Sequence, residues 1–117
     1  MIRSPKGVVP AKMDIPQGTL DLLILTILRR EPLHGYGIAQ RLRTLTNGTF
    51  EVNPGSMFPA LYALERDGKL RSEARLSENN RKAKFYVLTA LGRKQLEREE
   101  QRWQRVVMTI SSVLEGA

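Results

Sequence analysis

Gly68 splits the middle of this chain into two stretches of different period, and few folds accommodate both. Before it, in PGSMFPALYALERDGKL (54–70), Met57, Leu61 and Leu64 recur at helical spacing. After it, Leu70, Ser72, Ala74 and Leu76 alternate with Arg71, Glu73 and Arg75, which is the period of a strand. The chain then returns with Ala83, Phe85 and Val87 on one face and Lys84, Tyr86 and Leu88 on the other. Ser77 to Lys82 form the tip between them, where Asn79-Asn80 supplies the left-handed backbone that a turn needs. A helix closed by glycine and followed at once by a basic two-stranded ribbon is the layout of a winged helix. In that layout the helix enters a DNA groove and the ribbon flanks it on the backbone.

The start of this helix turns on one residue. Pro59 has no amide hydrogen, so it belongs in a first turn. With Ser56 as N-cap, Pro59 falls at the third helical position; a start at Pro54 would push it into the second turn. The sequence therefore predicts a helix over 57–67, capped by Ser56 and closed by Gly68. Met57, Leu61 and Leu64 then face the core. Pro59, Tyr62, Ala63 and Arg66 fall on the opposite face, with Phe58 on the flank.

Three further helices surround this unit. The first runs from Thr19 as N-cap to Arg30, with Leu20, Leu23, Ile24, Ile27 and Leu28 in helical register and Leu22 and Leu25 widening the stripe. Pro32 ends it. The second spans Gly35 to Leu45, with Ile38, Leu42 and Leu45 inward, and breaks at Asn47-Gly48. The last is capped by Thr89 and runs over 90–115, about 39 Å at 1.5 Å per residue, too long for so small a domain to cover. Along it Leu96, Trp103, Val106, Ile110 and Val113 form a heptad-like seam, interrupted by Glu99 and widened by Val107 and Leu114. Such a seam seeks a partner helix, so a homodimer is expected.

The expected fold class is α+β: mainly α with a small β-hairpin wing. Residues 1–17 read as a flexible basic arm, 18–89 as a winged helix-turn-helix domain and 90–117 as a C-terminal dimerisation helix.

Charge points to the partner. The net charge is +7, and nine Lys or Arg lie between Arg66 and Lys94 against only Asp67, Glu73 and Glu78. A basic patch confined to one module suits double-stranded DNA. There is no cysteine and only one histidine, His34, so no metal site and no cofactor is expected. No glycine-rich phosphate loop or nucleophile constellation argues for an enzyme. No apolar run approaches about 18 residues and the N-terminus lacks an apolar signal region, so a cytoplasmic protein with no membrane partner is expected.

The motifs HGYGI (34–38), PGSMFPALYALERDGKL (54–70) and KFYVLTALGRKQL (84–96) resemble the PadR family of bacterial transcriptional regulators, over about residues 17–115. One helix after the wing resembles the family's short subfamily. The family often has Tyr where Phe58 stands, and glycine where Asn79-Asn80 stand. The resemblance implies a winged-helix dimer that represses a nearby promoter and is released by an effector.

Candidate DNA contacts follow from helix position, charge and this resemblance. They are Tyr36, Ser56, Phe58, Pro59, Tyr62 and Arg66, with Arg81, Lys82 and Lys84 in the wing. Arg66 can pair bidentately with guanine or bridge to Asp67 or Glu73. His34 reads as a structural residue at the start of the second helix. The candidate dimer or effector surface is Leu96, Trp103, Val106, Val107, Ile110, Val113 and Leu114, where paired Trp103 rings would suit a small, flat, hydrophobic effector. Two other classes stay open. One is a non-specific or architectural nucleic-acid binder; the other is an interaction module using the seam for a different protein.

Overall fold

The computed structural model describes residues 12–117. Seven elements follow one another: α1 (Leu20–Arg30), β1 (Leu33–His34), α2 (Gly35–Leu45), α3 (Pro54–Arg66), β2 (Leu70–Leu76), β3 (Lys82–Leu88) and α4 (Ala90–Gly116). This is the expected α+β winged helix. Of the segment read as an arm, Arg3 and Lys6 lie outside the described residues. Lys12 to Gln17 run beside the stretch leading to α3: the Met13 amide donates to the Thr49 carbonyl at 3.0 Å and Lys12 pairs with Glu51 at 3.0 Å.

Helix α1 is the hub, with Ile24, Leu25, Ile27 and Leu28 buried and α2, α3, β3 and α4 packed around it. Ile38 and Leu42 of α2, Met57, Leu61 and Leu64 of α3, and Leu70, Tyr86 and Leu88 of the sheet complete the core. Thr19 stands at the N-cap position of α1, but its hydroxyl donates to the Pro16 carbonyl at 2.6 Å instead of capping. Leu45, expected inward, is 68% exposed: at the last position of α2 the apolar stripe outruns the core.

Helices α2 and α3 stop for the same physical reason. Beyond α2, Asn47 (φ 54°) and Gly48 (φ 78°) take left-handed backbone, and the Gly48 amide donates to the Arg43 carbonyl at 2.8 Å. Beyond α3, Gly68 (φ 76°) lets the Lys69 amide reach the Leu64 carbonyl at 2.9 Å. These are Schellman turns, which satisfy carbonyls left without helical partners.

The wing pairs as its alternation predicts, with Leu70 opposite Leu88, Ser72 opposite Tyr86 and Leu76 opposite Lys82. Asn80 supplies the left-handed residue at the tip (φ 59°). The sheet has a third strand, however. Leu33 and His34 pair with Tyr86 and Phe85, giving the order β1-β3-β2. Two residues after a proline are too few to show a period, so this strand is set by its partner.

At the wing's exit one hydroxyl does two jobs. Thr89 Oγ1 donates to the Gly68 carbonyl at 2.7 Å and accepts from the Gly92 amide at 3.0 Å, capping α4 while tying it to the end of α3. Gly92 is buried against the backbone there, and an added Cβ would overlap the Lys69 carbonyl oxygen. Leu96, assigned to the dimer seam from its heptad position, is a core residue only 2% exposed. The correction has a simple cause: the first two turns of α4 still pack on the domain. From Gln101 onward every residue of α4 is exposed except the half-buried Ser111.

Asp21, in the first turn of α1, has its carboxyl pushed up by burial and by the charges of Glu99 and Asp67, opposed by Lys69.

Two outcomes are expected. Gly92→Ala lowers stability by about 1–3 kcal/mol or more because backbone must move, read as a lower urea midpoint, whereas Gly116→Ala, with open space around it, leaves the midpoint unchanged. For Asp21 the native carboxyl binds its proton more tightly than the unfolded one. Its stabilising contribution is thus complete below the unfolded value of about 4 and is lost as pH rises through the raised native value. Urea midpoints measured from pH 4 to 7 should fall less steeply in Asp21→Asn than in the parent.

Candidate nucleic-acid interface

Helix α3 begins three residues earlier than its proline suggests. Asn53 is the N-cap: its side-chain oxygen accepts from the Ser56 amide at 2.9 Å, and Pro54 takes the first helical position. Pro59 therefore sits inside the helix, as the sequence argument had excluded, and the Gly55 carbonyl loses its helical donor. Gly55 is exposed, so water can replace that donor, and the cap with its favourably placed proline offsets the loss. Ser56 is accordingly not the cap but an exposed first-turn residue, with its side chain free.

Pro59, Tyr62 and Arg66 form one exposed stripe along α3, and Tyr62 is 57% exposed. Arg66 reaches Asp67 at 3.2 Å, the bridge that sequence reasoning named as its alternative partner. Phe58 is half-buried on the flank and packs against the first residue of α2. A Cβ on Gly35 would lie 2.9 Å from its ring, so a larger residue there would require the Phe58 ring to shift. Tyr36 stands beside this contact, 67% exposed.

His34 holds the start of α2. Its Nδ1 accepts from the Gly37 amide at 3.0 Å, which fixes the tautomer with a bare Nδ1. The ring meets Phe85 edge-on at 5.1 Å and stacks with Tyr36 at 6.3 Å. The structural role expected for His34 is the one it has.

The wing cations divide into two groups. Arg81 and Lys82 at the tip are exposed, with no carboxylate in ion-pair range among the described residues. Lys84 points back to α3, where it pairs with Glu65 at 2.8 Å and lies over the rings of Tyr62 and Tyr86. On the other face Arg71 and Arg75 both pair with Glu73, and Arg75 covers Phe85.

Sequence reasoning missed three residues of this surface. Gln40 and Arg43 are exposed one and two turns after Tyr36; extending the face from Tyr36 by four and seven positions would have found them. Glu65 was missed because its partners lie in the wing, at separations that no local pattern reveals.

On α4, Trp103 (41%), Ile110 (54%) and Leu114 (75%) stand exposed together with Val106, Val107 and Val113. A cavity of about 210 Å³ lies between the start of α1 and α4, lined by Thr19, Leu22, Glu99, Arg102, Trp103 and Val106 among others. Among the described residues no group of three His, Cys, Asp or Glu could hold a metal, and no helix is long and apolar enough to cross a membrane.

A model of the transcriptional regulator PadR-like family matches residues 24–98, from within α1 to the buried part of α4. The chain belongs to the PadR family. A solved PadR-like regulator from Bacillus cereus is 29% identical, with a TM-score of 0.75 over 86% of this chain and 96% of its own. A PadR-family regulator from Clostridium difficile is 28% identical, with a TM-score of 0.72 over 83% and 99% of the two chains. The transcriptional regulator YqjI of Escherichia coli is 30% identical over 86% of this chain, and the match spans 46% of YqjI. This PadR-family protein is thus a winged-helix, DNA-binding transcriptional regulator.

The cap assignment is open to direct measurement. Asn53→Ala should lower stability by about 1 kcal/mol, while Ser56→Ala should change it by no more than about 0.5 kcal/mol. Urea unfolding of the two variants separates the cap assigned here from a Ser56 cap.

Proposed function

We propose that this PadR-family chain is a homodimeric, cytoplasmic repressor that reads a near-palindromic operator and is released by an effector. The observation that carries this reading is the pairing of an outward α3 stripe (Pro59, Tyr62, Arg66) with cations at the wing tip (Arg81, Lys82) that have no carboxylate in range among the described residues. Side chains on the stripe suit base edges in a major groove, where Arg66 would leave Asp67 for guanine. The tip cations and Tyr36 and Ser56 suit phosphate. Phe58 shapes the junction of α2 and α3 on that face. Lys84 contributes from within the surface, through Tyr62 and Glu65.

The uncovered stripe on α4 supports a second copy as its partner, since Trp103, Val106, Val107, Ile110, Val113 and Leu114 occupy positions a, d and e of two heptads. Two-fold pairing would set two α3 helices about 34–36 Å apart, one turn of DNA. The cavity under Trp103 offers a planar apolar wall with Glu99 and Arg102 at its edge, a shape suited to a small, flat, hydrophobic effector.

Selection from random duplex pools at two salt concentrations tests the reading. A near-palindromic sequence should be enriched, with affinity falling steeply as salt rises. Removing Arg81 and Lys82 together should shallow the log–log salt dependence by about two, at roughly 0.9 per phosphate contact. Binding without enrichment would instead mark a non-specific binder, and a monomer by sedimentation would refute the α4 pairing. Trp103→Ala in an intact dimer should abolish hydrophobic-dye binding; unchanged binding would remove the effector slot.

A further inference from the structure

Both oxygens of the Glu65 carboxylate are used, and each crosses to a different strand of the wing. Oε1 accepts from the Lys84 ammonium on β3 at 2.8 Å, and Oε2 accepts from the Ser72 hydroxyl on β2 at 2.6 Å. The Lys84 ammonium also lies 5.5 Å from the Tyr62 ring centroid and 5.3 Å from that of Tyr86. Tyr62 belongs to the exposed α3 stripe, whereas Tyr86 is 1% exposed in the core. One carboxylate thus ties the α3 helix to both wing strands and parks a cation between a core ring and a surface ring.

Affinity alone does not account for this arrangement. A carboxylate on the face turned to DNA repels phosphate, and a lysine committed to it is withdrawn from the backbone. An unpaired lysine there would be a flexible point charge able to follow any phosphate, whatever the sequence. Specificity is a difference between two affinities, and it improves when the indiscriminate one is lowered.

We propose that Glu65 is a positioning residue for DNA reading: it fixes the wing against α3 and restrains Lys84, so that operator contact is favoured over indiscriminate phosphate contact. This rests on the DNA-reading assignment above.

The latch also has a titration. Hydrogen bonds from Lys84, then from Ser72, outweigh partial burial and hold the Glu65 carboxyl below its ordinary value, while the same Glu65 bond raises Lys84. The groups facing it are Lys84 and Tyr86 from β3, Ser72 from β2 and Tyr62 from its own helix. A lowered native value means that the latch is complete above the ordinary carboxylate value of about 4.3 and opens as pH falls through the depressed one.

The test compares the full-length parent with Glu65→Gln, Ser72→Ala, Lys84→Met and the Glu65→Gln/Lys84→Met pair. Each is measured for binding to the selected operator and to unrelated duplex across salt. In Glu65→Gln, operator affinity should fall about tenfold while binding to unrelated duplex holds or tightens, compressing a specificity ratio that is ordinarily at least about 10³. The salt dependence should steepen by about one as Lys84 becomes a phosphate contact. Ser72→Ala, which removes one leg of the latch, should show a smaller loss in the same direction and keeps the test open if Glu65→Gln unfolds. In the Lys84→Met background Glu65→Gln should change little further. By NMR of the free protein, the ring-shifted Lys84 methylene signals should move toward free-lysine positions in Glu65→Gln, and in the parent as acid protonates Glu65. A folded Glu65→Gln with unchanged specificity ratio, salt slope and Lys84 signals overturns the proposal. Failure of the parent to enrich any operator would instead defeat the DNA-reading assignment, and a parent that enriches one leaves Glu65 to be judged on its own variants.

Discussion

Burial of α1 is the constraint on which the other elements depend. Ile24, Leu25, Ile27 and Leu28 are all at most 6% exposed, and each contributes about 1.5–3 kcal/mol when removed from water. Among the described residues the buried side chains form a single cluster, so no second core compensates. Helices α2, α3 and α4 and strand β3 all lean on that one helix, so their mutual angles are set by how their apolar faces meet it. The outward surface of α3 is thereby a by-product of its inward one. With Met57, Leu61 and Leu64 seated in the core, the helical period leaves Pro59, Tyr62 and Arg66 no choice but to face out.

Backbone chemistry then connects the outward surfaces without relying on side-chain packing. The Schellman turn at Gly68 sends the chain directly from α3 into β2, and Thr89 returns it from β3 to a point beside Gly68. Start and finish of the wing are therefore pinned to the end of the α3 helix by its own carbonyls. Gly92 completes the joint, because only a residue without Cβ lets α4 approach the Lys69 carbonyl. A wing so anchored has its base set against the end of α3 and carries Arg81 and Lys82 at its exposed tip.

What the sequence revealed and what it hid divide along the range of the interaction. Gly68, the alternation of 70–76, Asn79-Asn80 and the Thr89 cap act within a few residues, and each was legible. The strand at Leu33–His34 was not, because it is specified by Tyr86 and Phe85 some fifty positions away. The start of α3 is hidden because the loss at Pro59 is visible locally, whereas the offsetting gain lies in the Asn53 cap and Pro54 at the first helical position. Leu45 and Leu96 show the same failing in packing: periodicity says which way a side chain points but not where the core stops. Local pattern marks Lys84 only as a surface cation, because its partner Glu65 belongs to another element.

Those hidden pairings change the meaning of the net charge. The ion pairs here are mostly solvent-accessible, and such pairs are worth about 0–1 kcal/mol each. They do little to hold the fold together. Their consequence is to decide which cations remain available to a partner. Arg66, Arg71, Arg75 and Lys84 each have a carboxylate, while Arg43, Arg81 and Lys82 have none in range among the described residues. Arg30, Lys69 and several arginines and lysines of α4 are likewise unpaired among the described residues, so what distinguishes α3 is that its own arginine must give up Asp67 before it can bind anything else. On the proposed reading, contacts of Arg66 would therefore form only where the bases repay the loss of Asp67, while unpaired cations such as Arg81 and Lys82 would meet phosphate without such a cost.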